Sequence, residues 1–432
     1  MSGVILRGAT VVELDPPAVE GRDLMVSGSE LAATAPAGAT IFDAGGCVIL
    51  PGLVLAHTHL YSALARGMPP PAQAPRSFLE ILERVWWRLD RALDEASLAA
   101  SAEVALLEAA LCGATTIVDH HESPSFIDGS LDVIAAAAER IGVRAVLCYG
   151  STDRHGAEGE RRGLRENQRF IAKAAASTAA GGPKLGALVG LHAGFTASDE
   201  MIAAAADLAR RSSTGVHLHL AEDPIDQEIA RQRGGKDAVE RLERGGVLNP
   251  NALLAHAIHL SERERAAVRA AGATVAHNPR SNLNNAVGYL DVRAHAPNVA
   301  LGTDGIDGDL WVEARAAFLR GREAYGPLGS ADVLSMLVAG HGLARRCLGG
   351  RFGALRPGAP ADLVVLSYDP PTPLSADNLV GHLLFGMGSR QVRDVMVAGE
   401  WIVRDRSSTR VESGAVQARG REQALRLWRA MA

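Results

Sequence analysis

Cysteine is scarce in this chain. The four residues Cys47, Cys112, Cys148 and Cys347 are widely spaced and form no CxxC pair, which argues against a disulfide framework and a thiolate metal cluster and suits a reducing cytoplasm. Charge of one sign is also missing. Forty-four basic against 49 acidic residues leave a net charge of −5 over 432 residues, so nothing electrostatic points to nucleic acid or an anionic membrane surface. The amino terminus, MSGVILRGATVVELD, alternates like a strand and lacks a basic segment followed by a long apolar run; neither a signal peptide nor a transmembrane span is expected. No glycine-rich phosphate loop follows a strand-like run in the P-loop or dinucleotide pattern, so no nucleotide cofactor is implied. The expected partner is a small molecule.

What is present is a change of pattern along the chain. Residues 1–55 hold short strand-like runs, VILRGATVVEL, DLMVSG and CVILPG, separated by Gly, Pro and Asp turn signals. From about residue 56, strand-like runs alternate with alanine-rich helical stretches. The run ending in HTH is followed by ATTIVDHH, VRAVLCYG, LGALVGLHAG, GVHLHLAED, NALLAHAIHL, ATVAHNPRSN and NVALGTDG. Near-continuous apolar strands between helices imply a helix-covered parallel sheet, and eight of them close a (β/α)8 barrel. After residue 349 β character returns with ADLVVLSYD and the hairpin-like VRDVMVAGEWIVRD. The expected fold class is α/β: a distorted (β/α)8 TIM barrel over 56–349 with a small composite β-sandwich domain. That domain takes 1–55 and 350–432, the latter ending in a helix-like tail.

Histidine placement carries the functional signal. PGLVLAHTHLY, residues 51–61, ends a buried-looking strand in His57 and His59. Side chains at i and i+2 of a strand point the same way, so both imidazoles can converge beyond its carboxyl end, where the functional residues of such barrels gather. The other strand ends deliver Asp119, His120, His121 and Glu122; His192; His217, His219 and Glu222; His256 and His259; His277 and Asn278; and Asp304. Ten of fourteen histidines lie at strand ends, whereas scattered ones would fall mostly on helices and loops.

Three imidazoles and a carboxylate suit one divalent metal, with zinc favoured and iron or manganese as alternatives. A bound divalent metal lowers the pKa of its water from about 15.7 to near 7, which implies hydrolysis. Glu222, just past the ligand strand, is placed to hand a proton to a leaving nitrogen. Spacing alone leaves His217 open beside His219, and lets only one of His120 and His121 point inward. Arg280 and Asn282 of HNPRSN are candidate substrate contacts. Trp86 and Trp87, in the helix-like FLEILERVWWRLDRAL, read as packing, with a lid over the barrel mouth as the alternative. His155, His295, His341 and His382 read as structural.

Taken in order, PGLVLAHTH, HLHLAE, AHAIHL, HNPRSN, LGTDG and RPGAPADLVVL resemble the amidohydrolase superfamily over residues 1 to about 410. The similarity is to its branch of cytosine, guanine and adenosylhomocysteine deaminases and triazine hydrolases. WWRLDRALDEASL, VDHHESPSFIDGSL and ADNLVGHLLFGMGS are further similar to SsnA-type aminohydrolases of bacterial purine catabolism. The resemblance implies His57, His59, His219 and Asp304 as metal ligands, Asp304 also accepting the water's proton. It implies Glu222 as the donor to a ring nitrogen, His256 as the residue that steers the hydroxide, and His192 as a substrate contact; of the pair His120 and His121, His121 is the candidate substrate contact by strand placement alone. Two-metal members carry a carboxylated lysine near the end of strand four; here His192 stands there and Lys184 lies at the strand's start, so one metal is implied. Where related deaminases place a base-reading glutamine after HxH, this chain has Tyr61, Ser62 and Ala63. The implied activity is hydrolytic deamination of a purine-, pterin- or pyrimidine-like heterocycle. Ring opening of a cyclic amide or ureide, dehalogenation of a triazine, and a non-catalytic binding barrel are the alternatives. A homodimer is implied by resemblance alone.

Overall fold

The computed structural model describes residues 3–179, 185–326 and 328–431; Lys184 lies outside them. The amino-terminal turn signals separate five strands: β1 (Val4–Leu14), β2 (Pro17–Ser27), β3 (Glu30–Ala32), β4 (Thr40–Asp43) and β5 (Val48–Pro51). β1 is irregular between Leu6 and Ala9, where Gly8 takes a φ of +74° that β-carbon sterics discourage in other residues. The bend divides its partners. Val4–Arg7 pair with β4, and Thr10 and Val11 pair with β5.

Nine strands follow: β6 (Leu53–Thr58), β7 (Ala114–His121), β8 (Arg144–Tyr149), β9 (Leu185–Ala187), β10 (Val189–Ala193), β11 (Val216–Leu220), β12 (Leu253–His256), β13 (Thr274–His277) and β14 (Val299–Leu301). They form two parallel sheets, β6-β7-β8-β9 and β10-β11-β12-β13-β14. Helices between them, such as Glu95–Leu111, Ser130–Ile141 and Asp199–Arg211, carry the chain back across the sheet faces. The sheets meet twice. A Ser151–Leu191 bridge joins them on one side and a Thr58–Asp304 bridge on the other, with Thr303 N donating to His57 O at 2.8 Å. Buried Asn167 fastens the first seam, its Oδ1 accepting from Tyr149 N (2.9 Å) and Gly190 N (3.1 Å). The arrangement is TIM-barrel-like, and it sends the carboxyl ends of all these strands to one region.

The last strands, β15 (Leu363–Leu366), β16 (Val392–Val397), β17 (Glu400–Arg404) and β18 (Ser407–Ser408), return to the amino-terminal ones. β15 pairs antiparallel with β5, Leu363 opposite Pro51 and Leu366 opposite Val48, giving one nine-stranded sheet from both chain ends. It has its own apolar cluster, including Leu6, Val11, Leu24, Ile49, Leu363 and Met396. A buried two-pronged ion pair, Arg144 Nε and Nη2 on Asp362 at 2.7 and 2.9 Å, ties β8 to it. The terminal helix, Ser413–Ala430, packs elsewhere. Val416, Gly420, Ala424 and Leu427 form its buried stripe; Arg419 pairs with Glu103 (2.6 Å), and Trp428 Nε1 donates to Leu64 O (2.8 Å).

His341 is structural, as expected. On the helix Ser330–Leu348, it donates from Nε2 to Gly52 O at 2.9 Å. Burial lowers its pKa to about 4, against 6.5 for an ordinary histidine. The unfolded chain therefore takes up this proton first as pH falls, so the stability His341 contributes is present above pH 6.5 and lost progressively towards pH 4. His341→Gln keeps a donor for Gly52 but cannot titrate. Chemical denaturation at pH 7 and pH 4.5 is expected to show a smaller acid loss in the variant, by about 2 kcal/mol; equal losses would mean this histidine is not held neutral.

Candidate active site

The strand ends are held under local strain. Ala221, His256, Ala257 and Asp304 all have left-handed φ values between +46° and +73°, a costly region for residues with a β-carbon and one that clusters at functional sites. Asp226 braces the first, accepting from Ala221 N (2.6 Å) and from Phe195 N (2.9 Å). Gly302, in LGTDG, could carry no side chain: a β-carbon there would lie 2.3 Å from Asn278 Oδ1 and 2.8 Å from His57 O.

Just beyond these ends, ligand atoms of His57, His59, His219 and Asp304 lie within 4.8 Å of one another. His59 Nε2 is 2.9 Å and His57 Nε2 3.6 Å from Asp304 Oδ1, and His59 Nε2 is 3.1 Å from His219 Nε2. Donors about 2.0–2.2 Å from one tetrahedral ion stand about 3.3 Å apart, so these separations fit. The proton positions fit as well. His59 Nδ1 donates to His120 O and His219 Nδ1 to His192 O, both at 2.6 Å, which leaves lone pairs on the facing Nε2 atoms. His57 Nε2 is buried without a hydrogen-bond partner among the described residues. A divalent cation answers all three donors at once.

Electrostatics separates two carboxyl groups beside this cluster. Burial alone would raise the Asp304 pKa, but the close imidazoles of His57 and His59 override it and draw it well below the usual range. Glu222 moves the other way, held well above its ordinary value by burial and then by the charge of Asp304. His256 lies between them, its Nε2 at 3.4 Å from Glu222 Oε2 and 3.9 Å from Asp304 Oδ2. Asn282 Oδ1 accepts from His256 Nδ1 at 2.8 Å, Asn285 Nδ2 donates to Glu222 Oε1 at 3.3 Å, and Ser281 Oγ donates to Asp304 Oδ2. Two carboxyl groups pushed apart in pKa mark an acid and a base.

Above them opens a cavity of about 380 Å³. Tyr61, Phe78, Trp86, Trp87 and Phe195 give it aromatic walls, while Asp90, Glu122 and Glu222 give it carboxyl groups. Trp86 and Trp87 thus line the cavity as well as pack against Phe78, Leu82 and Val287. The helical stretch containing them widens to a π-turn over Leu82–Trp86, and Arg154, bonded to Glu122, stacks over Trp87 at 4.2 Å.

His192 lines this cavity, its Nδ1 paired with Thr196 Oγ1 at 2.7 Å. Three expected contacts are revised. His121 is fully buried against Ser123 Oγ (2.7 Å), and its neighbour His120 reaches the cavity instead. The Arg280 guanidinium is committed to Asp307 (2.9 and 2.7 Å) and to Glu313. Asn282 is fully buried on His256 rather than in the cavity wall. His217 stands behind His57, its Nε2 2.8 Å from His57 Nδ1, and is not in the four-donor group. No local sequence pattern marks Asp90, Ser281, Asn285 or Asp226 as part of the site. Asp90 is 2% exposed and its Oδ1 lacks a partner among the described residues, but a carboxylate inside LDRALDE reads locally as a solvated helix face.

Three imidazoles and a carboxylate at the carboxyl ends of a TIM-barrel-like fold define a hydrolase of the divalent-metal class. The sequence profile described as "Amidohydrolase family" matches residues 48–402, and a 5'-deoxyadenosine deaminase of Methanosarcina mazei is 30% identical over 421 residues, 94% of each chain. The chain belongs to the amidohydrolase family, hydrolases of carbon–nitrogen bonds other than peptide bonds. An 8-oxoguanine deaminase of Pseudomonas aeruginosa is 30% identical over 443 residues, 99% of this chain and 96% of the relative. A zinc-bound adenosine deaminase from Xanthomonas campestris superposes with a TM-score of 0.85 at 23% identity, covering 99% and 98% of the two chains. An atrazine chlorohydrolase from Arthrobacter aurescens TC1, complexed with zinc, gives 0.82 at 22%, covering 98% and 100%. At those identities the likeness is one of fold. No described helix is long and apolar enough to cross a membrane.

Proposed function

We propose that this chain is a mononuclear zinc aminohydrolase that replaces the exocyclic amino group of a purine-like heterocycle with oxygen and releases ammonia. The observation that carries the reading is the pairing of a raised Glu222 and a lowered Asp304 around His256, facing one cavity beside a three-imidazole, one-carboxylate donor set. His57, His59, His219 and Asp304 would hold the cation. When bound, it supplies Lewis-acid chemistry, lowering the pKa of a water from about 15.7 to about 7. Asp304, ionised and oriented by Ser281, takes a proton. Glu222, kept protonated by burial, gives one to the ring nitrogen beside the carbon under attack, and Asn285 fixes its carboxyl group. His256, with Nδ1 anchored on Asn282, keeps Nε2 turned to the space between them. The aromatic walls suit a planar ring, and Asp90 and Glu122 suit one rich in N–H groups. Relatives named as deaminases of 5'-deoxyadenosine and 8-oxoguanine support the same class.

In the same reading, residues 56–349 form a complete (β/α)8 barrel, and 1–55 with 350–432 supply a β-sandwich domain, whose corner is the bend in β1, plus the terminal helix Ser413–Ala430. Asp90 is assigned a substrate contact, so Asp90→Asn is expected to raise KM about tenfold, the scale of one lost buried hydrogen bond, with zinc content unchanged. An unchanged KM would remove it from the binding surface. The deciding experiment is a mass-spectrometric screen of zinc-loaded protein against purines, pterins, pyrimidines, triazines and cyclic ureides. Loss of ammonia with gain of water establishes deamination; gain of one whole water means ring opening and overturns it.

A further inference from the structure

The three imidazoles of the donor group differ in what stands behind them. His59 and His219 anchor Nδ1 on main-chain carbonyls, which can only accept. His57 Nδ1 meets another side chain, His217 Nε2 at 2.8 Å. Two imidazole nitrogens that close hold one proton between them, and its side decides whether His57 Nε2 is a lone pair or an N–H. His217 is fully buried on β11, two residues before His219. Behind it, its Nδ1 lies 3.5 Å from Cys148 Sγ on β8, and Cys148 Sγ lies 3.5 Å from Asp119 O. The carbonyl at the end accepts from the thiol, so the sulfur is left to accept from His217 Nδ1–H. That sets His217 Nε2 as the acceptor and His57 Nδ1 as the donor.

We propose that His217 is a positioning residue that locks His57 in the Nδ1–H tautomer, with Cys148 fixing the tautomer of His217 in turn. The inference rests on the reading of His57 as a ligand. With His217 in the opposite tautomer, two N–H groups would face each other, or His57 would carry its proton on Nε2, inside the donor group. An apolar residue of similar size would fill the space and leave His57 Nδ1–H buried without an acceptor. Partners behind metal-bound histidines are typically worth about 10- to 100-fold in metal affinity.

The test compares zinc dissociation constants, by chelator competition on the full chain, for wild type, His217→Gln and His217→Leu. Glutamine returns an acceptor near the Nε2 position and leucine does not. Weakening of about 10- to 100-fold in the leucine variant, with the glutamine variant within about threefold of wild type, supports the lock. Equal affinity in the leucine variant, or equal loss in both, overturns it. Should the leucine variant not fold, ¹⁵N NMR of zinc-loaded wild type decides: His217 unprotonated at Nε2 supports the lock, and protonated at Nε2 overturns it. A wild-type chain that binds no zinc overturns the ligand reading and this inference together; tight wild-type binding with an indifferent leucine variant overturns the lock alone.

Discussion

Asp304→Asn is expected to lower kcat by about 10³-fold or more and to deplete bound zinc, because one carboxylate serves as ligand and proton acceptor. The separations support both roles: Oδ1 lies 2.9 Å from His59 Nε2, and Oδ2 accepts from Ser281 and faces His256. Asparagine preserves the shape but cannot hold the charge. Zinc analysis by plasma emission, steady-state kinetics and circular dichroism on one preparation separate the effects. A folded variant with kcat within tenfold of wild type would remove Asp304 from both roles.

Glu222→Gln is expected to lower kcat by about 10²- to 10⁴-fold, the usual contribution of a positioned general acid, with zinc content kept because Glu222 is outside the four-donor group. The pH profile supplies a second readout. Burial and the Asp304 charge raise the Glu222 pKa, so the wild-type acid stays protonated well above the ordinary carboxyl range and activity falls on the alkaline side as that pKa is passed. Glutamine has no such limb. A variant that keeps both the wild-type rate and its alkaline fall would transfer the role of acid to another group.

Much of the site was legible because metal chemistry demands local spacings. His57 and His59 share a strand face by the i, i+2 rule, and Glu222 follows His219 at the distance that reaches from strand end to cavity. The choice between His217 and His219 was less accessible, since both share that parity; depth decides it, His219 standing one pleat nearer the carboxyl end. His120 and His121 show a different limit. β7 is buried at every position, so no polar alternation marks its inner face, and orientation comes from its register with β8, His120 opposite Cys148 and His121 opposite Tyr149. Arg280 shows a third. Its acidic partners, Asp307 and Glu313, lie 27 and 33 residues away, beyond any local pattern.

By itself, the sequence determined the alternation of strands and helices, the return of β structure at the carboxyl end, and the metal-type donors at strand ends. These depend on periodicity and short-range spacing, which a chain carries locally. Only the tertiary structure decided that Asp90 is buried in the cavity wall, that Arg280 and Asn282 support neighbours, and that the terminal helix lies along Glu95–Leu111. It also decided which partner stands behind each imidazole. Burial, pKa and hydrogen-bond direction are set by atoms brought together from distant positions, and the field acting on Glu222 exists only once Asp304, 82 residues further on, has been folded against it.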